Sequence, residues 1–157
     1  MPSPIDALAG VVNANQALPH LVTAGQPGPS HFRALKDAGV SLVIDLRHPS
    51  EPRGFDETTL LQSLGIEYVV VPVHDGNLTD ETLEQVTAAV RTGQGRETVI
   101  HCASGNRIGG ALVPYLMLDQ GFSEDDAMMA ALRMGLRGAH LFQWGLDYVR
   151  RQKSREE

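Results

Sequence analysis

The sequence predicts an α/β fold: a short central sheet of four to five mostly parallel strands, flanked by helices. Three observations carry that expectation. Short apolar or β-branched runs alternate with helix-like segments of about 10–15 residues, the pattern of successive βαβ units. The run 40–46, "VSLVIDL", is almost wholly apolar, as suits a strand covered on both faces. The last such run, 98–101, feeds into a polar turn containing a glycine and then another helix-like stretch. In open α/β sheets ligands bind beyond the carboxyl ends of the strands.

The elements follow in chain order. "HLVTAG" (20–25) reads as a short strand. "QPGPS" is a turn, with Ser30 placed to cap a helix over 31–39 in which Phe32 and Leu35 share a face and Gly39 is the stop signal. Strand 40–46 follows, then the polar loop "RHPSEPRG". Residues 55–65 form a helix ending at Gly65, and 66–73, "IEYVVVPV", the next strand. After the turn "HDGN", Thr79 caps a helix beginning at Asp80, with Leu83, Val86 and Val90 on one face. "RTGQGRE" breaks that helix before strand 98–101. A long helix over 107–121 contains Pro114, which predicts a kink. Ser123 caps the next helix, and a last one covers roughly 139–151. Met128, Met129 and Met134 read as core or helix surface, and Trp144 as part of a helix packing on the core.

At 157 residues the chain suits one domain, 1–157, with its core at about 20–150 and a mobile or surface-exposed N-terminus and C-terminal tail. The net charge of −6 gives no general attraction for nucleic acid or an anionic membrane, so neither is an expected partner and any anion site must be local. No run approaches the roughly 20 apolar residues of a membrane span. The N-terminus lacks a basic leader, so a cytoplasmic location is expected, unless a leader has been removed. One cysteine excludes an internal disulfide and a multi-cysteine metal site, and the six histidines show no ligand spacing; neither metal nor cofactor is expected.

That cysteine lies in "HCASGNR", residues 101–107. A strand, a tight glycine-containing loop and a helix start direct several backbone N–H groups at one spot, which attracts an anion. Ala103, Ser104, Gly105 and Asn106 supply the loop. Arg107 can fold back as a planar fork on two oxygens. The same field favours a thiolate at Cys102. A thiolate beneath an oxyanion suits attack on phosphorus or on sulfane sulfur. The competing reading is an inert cysteine at the end of a core strand.

His-Cys-x-x-Gly-x-Arg resembles the active-site loop of the protein tyrosine phosphatase superfamily, including its dual-specificity branch. "TAGQPGPSHFRALKDAGVSLVIDLRHPSE", then "GIEYVVVPV", then "HCASGNR" look like a bacterial family of small phosphatase-like domains also found fused to beta-lactamase-fold hydrolases; the likeness spans about residues 20–135. It implies Cys102 as nucleophile, Arg107 as oxyanion clamp, the amides of 103–107 as phosphate cradle and His101 as a loop support. It implies a phosphorylated small molecule or protein as substrate. Four residues separate Cys102 from Arg107, the spacing of the rhodanese sulfurtransferase loop, whereas tyrosine phosphatases usually have five and place Ser or Thr where this chain has Ile108.

Phosphoryl transfer to a thiolate needs a proton donor for the leaving oxygen. In the resembling enzymes an aspartate beyond an earlier strand serves, which selects Asp75, with Asp80 and His74 as alternatives. Asp75 before Gly76 also reads as an ordinary turn former. Arg47 and Glu51 match the family pattern and read as an ion pair between loops, or Arg47 as a substrate-rim residue. Asp45, within an apolar strand, needs a partner if buried. The expectation is a phosphatase acting through a phosphocysteine; the alternatives are a sulfurtransferase acting through a Cys102 persulfide and a non-catalytic phosphate-binding module.

Overall fold

The computed structural model describes residues 2–156. Five strands form its sheet: β1 (Asn15–Leu18), β2 (Leu21–Ala24), β3 (Val40–Asp45), β4 (Glu67–Val70) and β5 (Glu97–His101), in spatial order β1-β2-β5-β3-β4. The β1–β2 pair is antiparallel and the other pairings are parallel, as the sequence predicts. Strand β5 is last in the chain and central in the sheet, so its carboxyl end opens between those of β2 and β3.

Side chains alternate across a strand, and both faces here are covered. Val22, Val43 and Val99 face one apolar cluster with Leu8, Phe32, Leu35 and Leu61, built by α1 (Pro4–Ala7), α2 (Pro29–Asp37) and α3 (Glu57–Ser63). Leu42, Ile44 and Ile100 face the other, built by α4 (Asp80–Thr92), α5 (Asn106–Ala111), α6 (Glu124–Met134) and α7 (Ala139–Glu156). The same alternation parts the last residues of β5. His101 turns towards α2 and α3, its ring 5.9 Å from that of Phe32, while Cys102 joins the α4–α7 cluster.

Several expectations need correction. The N-terminal segment carries structure of its own: Ser3 caps α1, Leu8 is fully buried and β1 adds an edge strand, while Ala9, Gly10 and Val12 lie exposed. Asn15 and Gln16 hide that strand from a hydrophobic-pattern reading. Helix α2 starts at Pro29, with Gly28 as its cap in place of Ser30, because the Nδ1 of His31 accepts the Gly28 N–H at 3.1 Å. Proline suits that first position because its missing N–H costs nothing there. Strand β4 ends at Val70, although Val71 and Val73 still donate to Asp45 and Leu46 at 2.9 Å. Helix α7 runs on through the tail to Glu156. Thr79 and Ser123 cap α4 and α6 as expected.

Pro114 interrupts the long helix after α5. Beyond it, Tyr115–Asp119 is a π-turn, with Gln120 N–H donating to Tyr115 C=O at 3.1 Å. Before it, α5 packs almost backbone to backbone on α7: a Cβ on Gly110 would lie 2.2 Å from the Leu141 carbonyl oxygen. This packing anchors the helix that carries Arg107. Among the described residues no helix is long and apolar enough to cross a membrane.

Candidate active site

Strand β5 ends at His101, and the chain turns sharply through Cys102–Gly105 into α5. The turn requires Gly105, whose φ is +94° and where a Cβ would lie 1.9 Å from the Met134 carbonyl oxygen. In this geometry the Gly105 N–H donates to Cys102 Sγ at 3.0 Å, with the sulfur fully buried. Among the described residues the amides of Ala103, Ser104, Asn106 and Arg107 have no hydrogen-bond acceptor. They are free for water or an anion.

The loop is tied on both sides. Ala103 C=O accepts from Gln26 N–H at 3.1 Å, and Ser104 C=O from Asn13 Nδ2 at 2.7 Å. Asn106 Oδ1 accepts the N–H groups of Arg137 and Gly138 at 2.7 and 3.0 Å. The Ser104 hydroxyl faces the Arg137 guanidinium at 3.2 Å. Ile108, next after the arginine, is buried in the core.

Arg107 reaches back beneath β3. It donates to both carboxylate oxygens of Glu51, at 2.8 and 2.9 Å, and to the Leu46 C=O at 3.3 Å. The bond from Arg107 is the chief cause that holds the Glu51 carboxyl at about 2, well below its usual value, although partial burial opposes it. The same pair raises the pKa of Arg107.

Arg47 also bonds Glu51, at 3.1 Å, and its other nitrogens donate to Gln26 Oε1 at 2.8 Å and Pro52 C=O at 3.0 Å. It is only 8% exposed, so the substrate-rim alternative is excluded and the ion-pair reading stands.

Under the loop lies a buried polar cluster. His101 Nε2 meets Glu57 Oε2 at 2.6 Å, and its Nδ1 lies 3.3 Å from Cys102 C=O. Glu57 Oε1 also accepts from Gln26 at 2.8 Å and Arg53 at 3.0 Å. Asp45 has the partners its burial demands: the Arg47 N–H, the Arg53 guanidinium and the Tyr68 hydroxyl. Burial first, and then the bond to Asp45, raises the Tyr68 hydroxyl pKa. Asp45, Glu57 and His101 bring ligand-type atoms within 4.8 Å of one another, but Arg53 bonds both carboxylates there. Its charge takes the place a cation would fill.

A cleft of about 310 Å³ opens over Arg107, lined by Glu51, Val73, His74, Asp75, Asn106, His140 and Leu141. Asp75 thus shares a cleft with Arg107. Its side chain is 85% exposed and bonded to His140 Nε2 at 3.0 Å. His74 is engaged in the turn, its Nδ1 accepting the Gly76 N–H at 3.0 Å. Asp80 starts α4, away from this cleft, and pairs with Arg151.

The structure therefore places Cys102, the loop 103–106 and Arg107 together, with His101 behind them and Asp75 across the cleft. Sequence reading missed Glu57, Arg53, His140 and Arg137, and took Gln26 for plain loop structure. One signal was available for Glu57: it opens a helix directly after the cap Asp56, where a carboxylate is favoured by the helix dipole. Nothing in the sequence signals His140.

Structures of known phosphatases share this architecture. The core catalytic domain of the PP-IP phosphatase SIW14 from S. cerevisiae superposes with a TM-score of 0.73 at 18% identity, covering 92% of each chain. P. aeruginosa TpbA in complex with pTyr gives 0.67 at 18% identity, over 88% of this chain and 83% of that one. This is the protein tyrosine phosphatase-like fold. A candidate phosphatase (DUF442) from Shewanella putrefaciens CN-32 with that fold is 28% identical, with a TM-score of 0.73 over 92% of this chain and 98% of its own. Two beta-lactamase hydrolase-like proteins from Xylella fastidiosa strains are 28% identical over 111 residues, 68% of this chain. The match covers 24% of their length, so the chain spans about a quarter of these curated relatives. No family model matches the chain.

Proposed function

We propose that the chain is a cysteine-dependent phosphatase that hydrolyses phosphate monoesters through a phosphocysteine. One observation carries the reading: Cys102 Sγ sits in a strand–turn–helix junction where the Gly105 N–H donates to the sulfur and the amides of Ala103, Ser104, Asn106 and Arg107 are free, with Arg107 closing the same turn. The phosphatase-like fold supports it. The substrate class is a phosphorylated small molecule or protein.

In the first step the Cys102 thiolate attacks phosphorus and the P–O bond to the leaving group breaks. The loop amides of 103–107 and the Arg107 fork hold the equatorial oxygens. Asp75 gives its proton to the departing oxygen. In the second step water attacks the phosphocysteine and the S–P bond breaks. Inorganic phosphate leaves, the thiolate returns, and the water proton goes back to Asp75. Glu51 holds Arg107 ready before substrate arrives, and His101 supports the Cys102 carbonyl. No step calls for a metal.

The four-residue spacing from Cys102 to Arg107 favours a second reading, sulfur transfer through a Cys102 persulfide. Turnover of an aryl phosphate and of thiosulfate with cyanide, each by wild type and Cys102→Ser, separates the two. The proposal expects aryl phosphate hydrolysis that Cys102→Ser abolishes. Thiosulfate turnover without phosphoester turnover would replace it.

A further inference from the structure

The two ends of the reactive loop are joined by a second route, through side chains. From Cys102 C=O it passes to His101, then to Glu57 at 2.6 Å, to Gln26 at 2.8 Å, to Arg47 at 2.8 Å, to Glu51 at 3.1 Å, and to Arg107 at 2.8 Å. Four of the five intermediate groups are ionisable side chains; Gln26 is the neutral one. It comes from the turn after β2, and nothing in the mechanism above uses it.

We infer that Gln26 is a positioning residue that couples the nucleophile side of the loop to its arginine clamp. The inference rests on the phosphatase reading of the same site. The chemistry of the junction asks for a primary amide. On one side Gln26 Oε1 accepts from the Arg47 guanidinium, which can only donate. On the other its Nε2 donates to the Glu57 carboxylate and to Pro27 C=O at 3.0 Å. A carboxylate at this position would face Glu57, and an ammonium would face Arg47. The polarity of the two neighbours also fixes which way the amide points.

Its backbone adds a direct tie, since Gln26 N–H donates to Ala103 C=O inside the loop. Residue 26 therefore touches the loop backbone, the His101 support and the Arg47–Glu51 pair that holds Arg107. Without the amide, Glu57 and Arg47 each lose a partner, and the direct side-chain link between them is broken, leaving only the longer path through Arg53 and Asp45. Misplacing a group by about an ångström far from the chemistry can cost on the order of a hundredfold in rate.

The test uses Gln26→Met, which keeps length and volume but removes all three side-chain bonds, and Gln26→Asn, which keeps the amide but is one methylene short. Both should lower kcat for an aryl phosphate by about tenfold or more, mostly in kcat rather than KM, with the melting temperature lowered by only a few degrees. A double-mutant cycle of Glu57→Gln with Glu51→Gln adds the readout that structural support alone would not move. Their effects on kcat/KM should depart from multiplicativity by at least about threefold in the wild-type background and combine multiplicatively in Gln26→Met. Unchanged kcat in both Gln26 variants, or a cycle unaffected by Gln26→Met, would overturn the inference. If wild type turns over no aryl phosphate, the phosphatase reading falls separately, and calorimetric binding of inorganic phosphate decides. Binding at least about fivefold weaker in Gln26→Met supports the coupling; equal binding, or none by wild type, contradicts it.

Discussion

Glu51 holds Arg107 with both oxygens, at 2.8 and 2.9 Å, from a loop 56 residues earlier in the chain. The pair fixes the plane of an otherwise flexible side chain, which the proposed mechanism uses to meet an oxyanion. It also explains why a carboxylate lies beside an anion site in a chain of net charge −6. In the proposed mechanism it orients the guanidinium and does not touch substrate.

Glu51→Gln should therefore reduce phosphoester kcat/KM by roughly ten- to a hundredfold, the scale for a misplaced binding group. It should also alter the acid stability profile. The folded carboxyl titrates at about 2, below its usual 4.5, so the pair's stabilisation is complete above about pH 4.5 and is lost as pH falls towards 2. Urea denaturation between pH 2 and 6 should show wild type losing stability over that window, with the Gln variant showing a smaller loss.

Arg107→Lys keeps the charge and loses the fork. The expected cost is roughly 2–4 kcal/mol in transition-state stabilisation, as for loss of one oxyanion donor. Steady-state kinetics on an aryl phosphate reads it. Near-wild-type kcat/KM would mean that the arginine contributes charge alone.

Gly105→Ala should be damaging to the fold as well as to activity. The residue has φ +94°, and the new methyl would meet the Met134 carbonyl. Strain at such a position costs about 1–3 kcal/mol, and forced overpacking adds a similar amount. Chemical denaturation should show a loss of at least about 2 kcal/mol, and turnover should fall because the Gly105 N–H no longer aims at the sulfur.

Asp75→Asn should slow hydrolysis of phosphates with poor leaving groups by roughly 10²–10⁴, the usual contribution of a positioned acid. An aryl phosphate with a very acidic leaving group should suffer much less, because that oxygen departs unprotonated. A leaving-group series on wild type and variant checks it. An equal effect across the series would reject Asp75 and move attention to His74 or to His140, its neighbour in the cleft.

The reactive turn was legible because local chemistry dictates it: an apolar strand running into a glycine turn, with cysteine and arginine at its two ends. The parallel sheet was legible because Val43 and Ile44 are apolar on opposite faces. Strand β1 was not, since Asn15 and Gln16 at a sheet edge bury little apolar surface. The support cluster was not either. Glu57 meets His101 across 44 residues and Gln26 meets Glu57 across 31, and side-chain pairings over such separations leave no periodicity in the chain. Arg47 was legible in part: its pairing with Glu51, four residues on, stands as expected, whereas its bond to Gln26, 21 residues away, left no trace in the sequence.

The most direct test is to trap the intermediate. Wild type is mixed with an aryl phosphate, quenched in acid within the first turnover, digested and examined by mass spectrometry. The account predicts a phosphoryl group on the peptide carrying Cys102, absent from the Cys102→Ser protein under the same quench. Rapid hydrolysis with no adduct on that peptide, or an added sulfur atom on Cys102 after thiosulfate with no phosphoryl adduct after the ester, would contradict it.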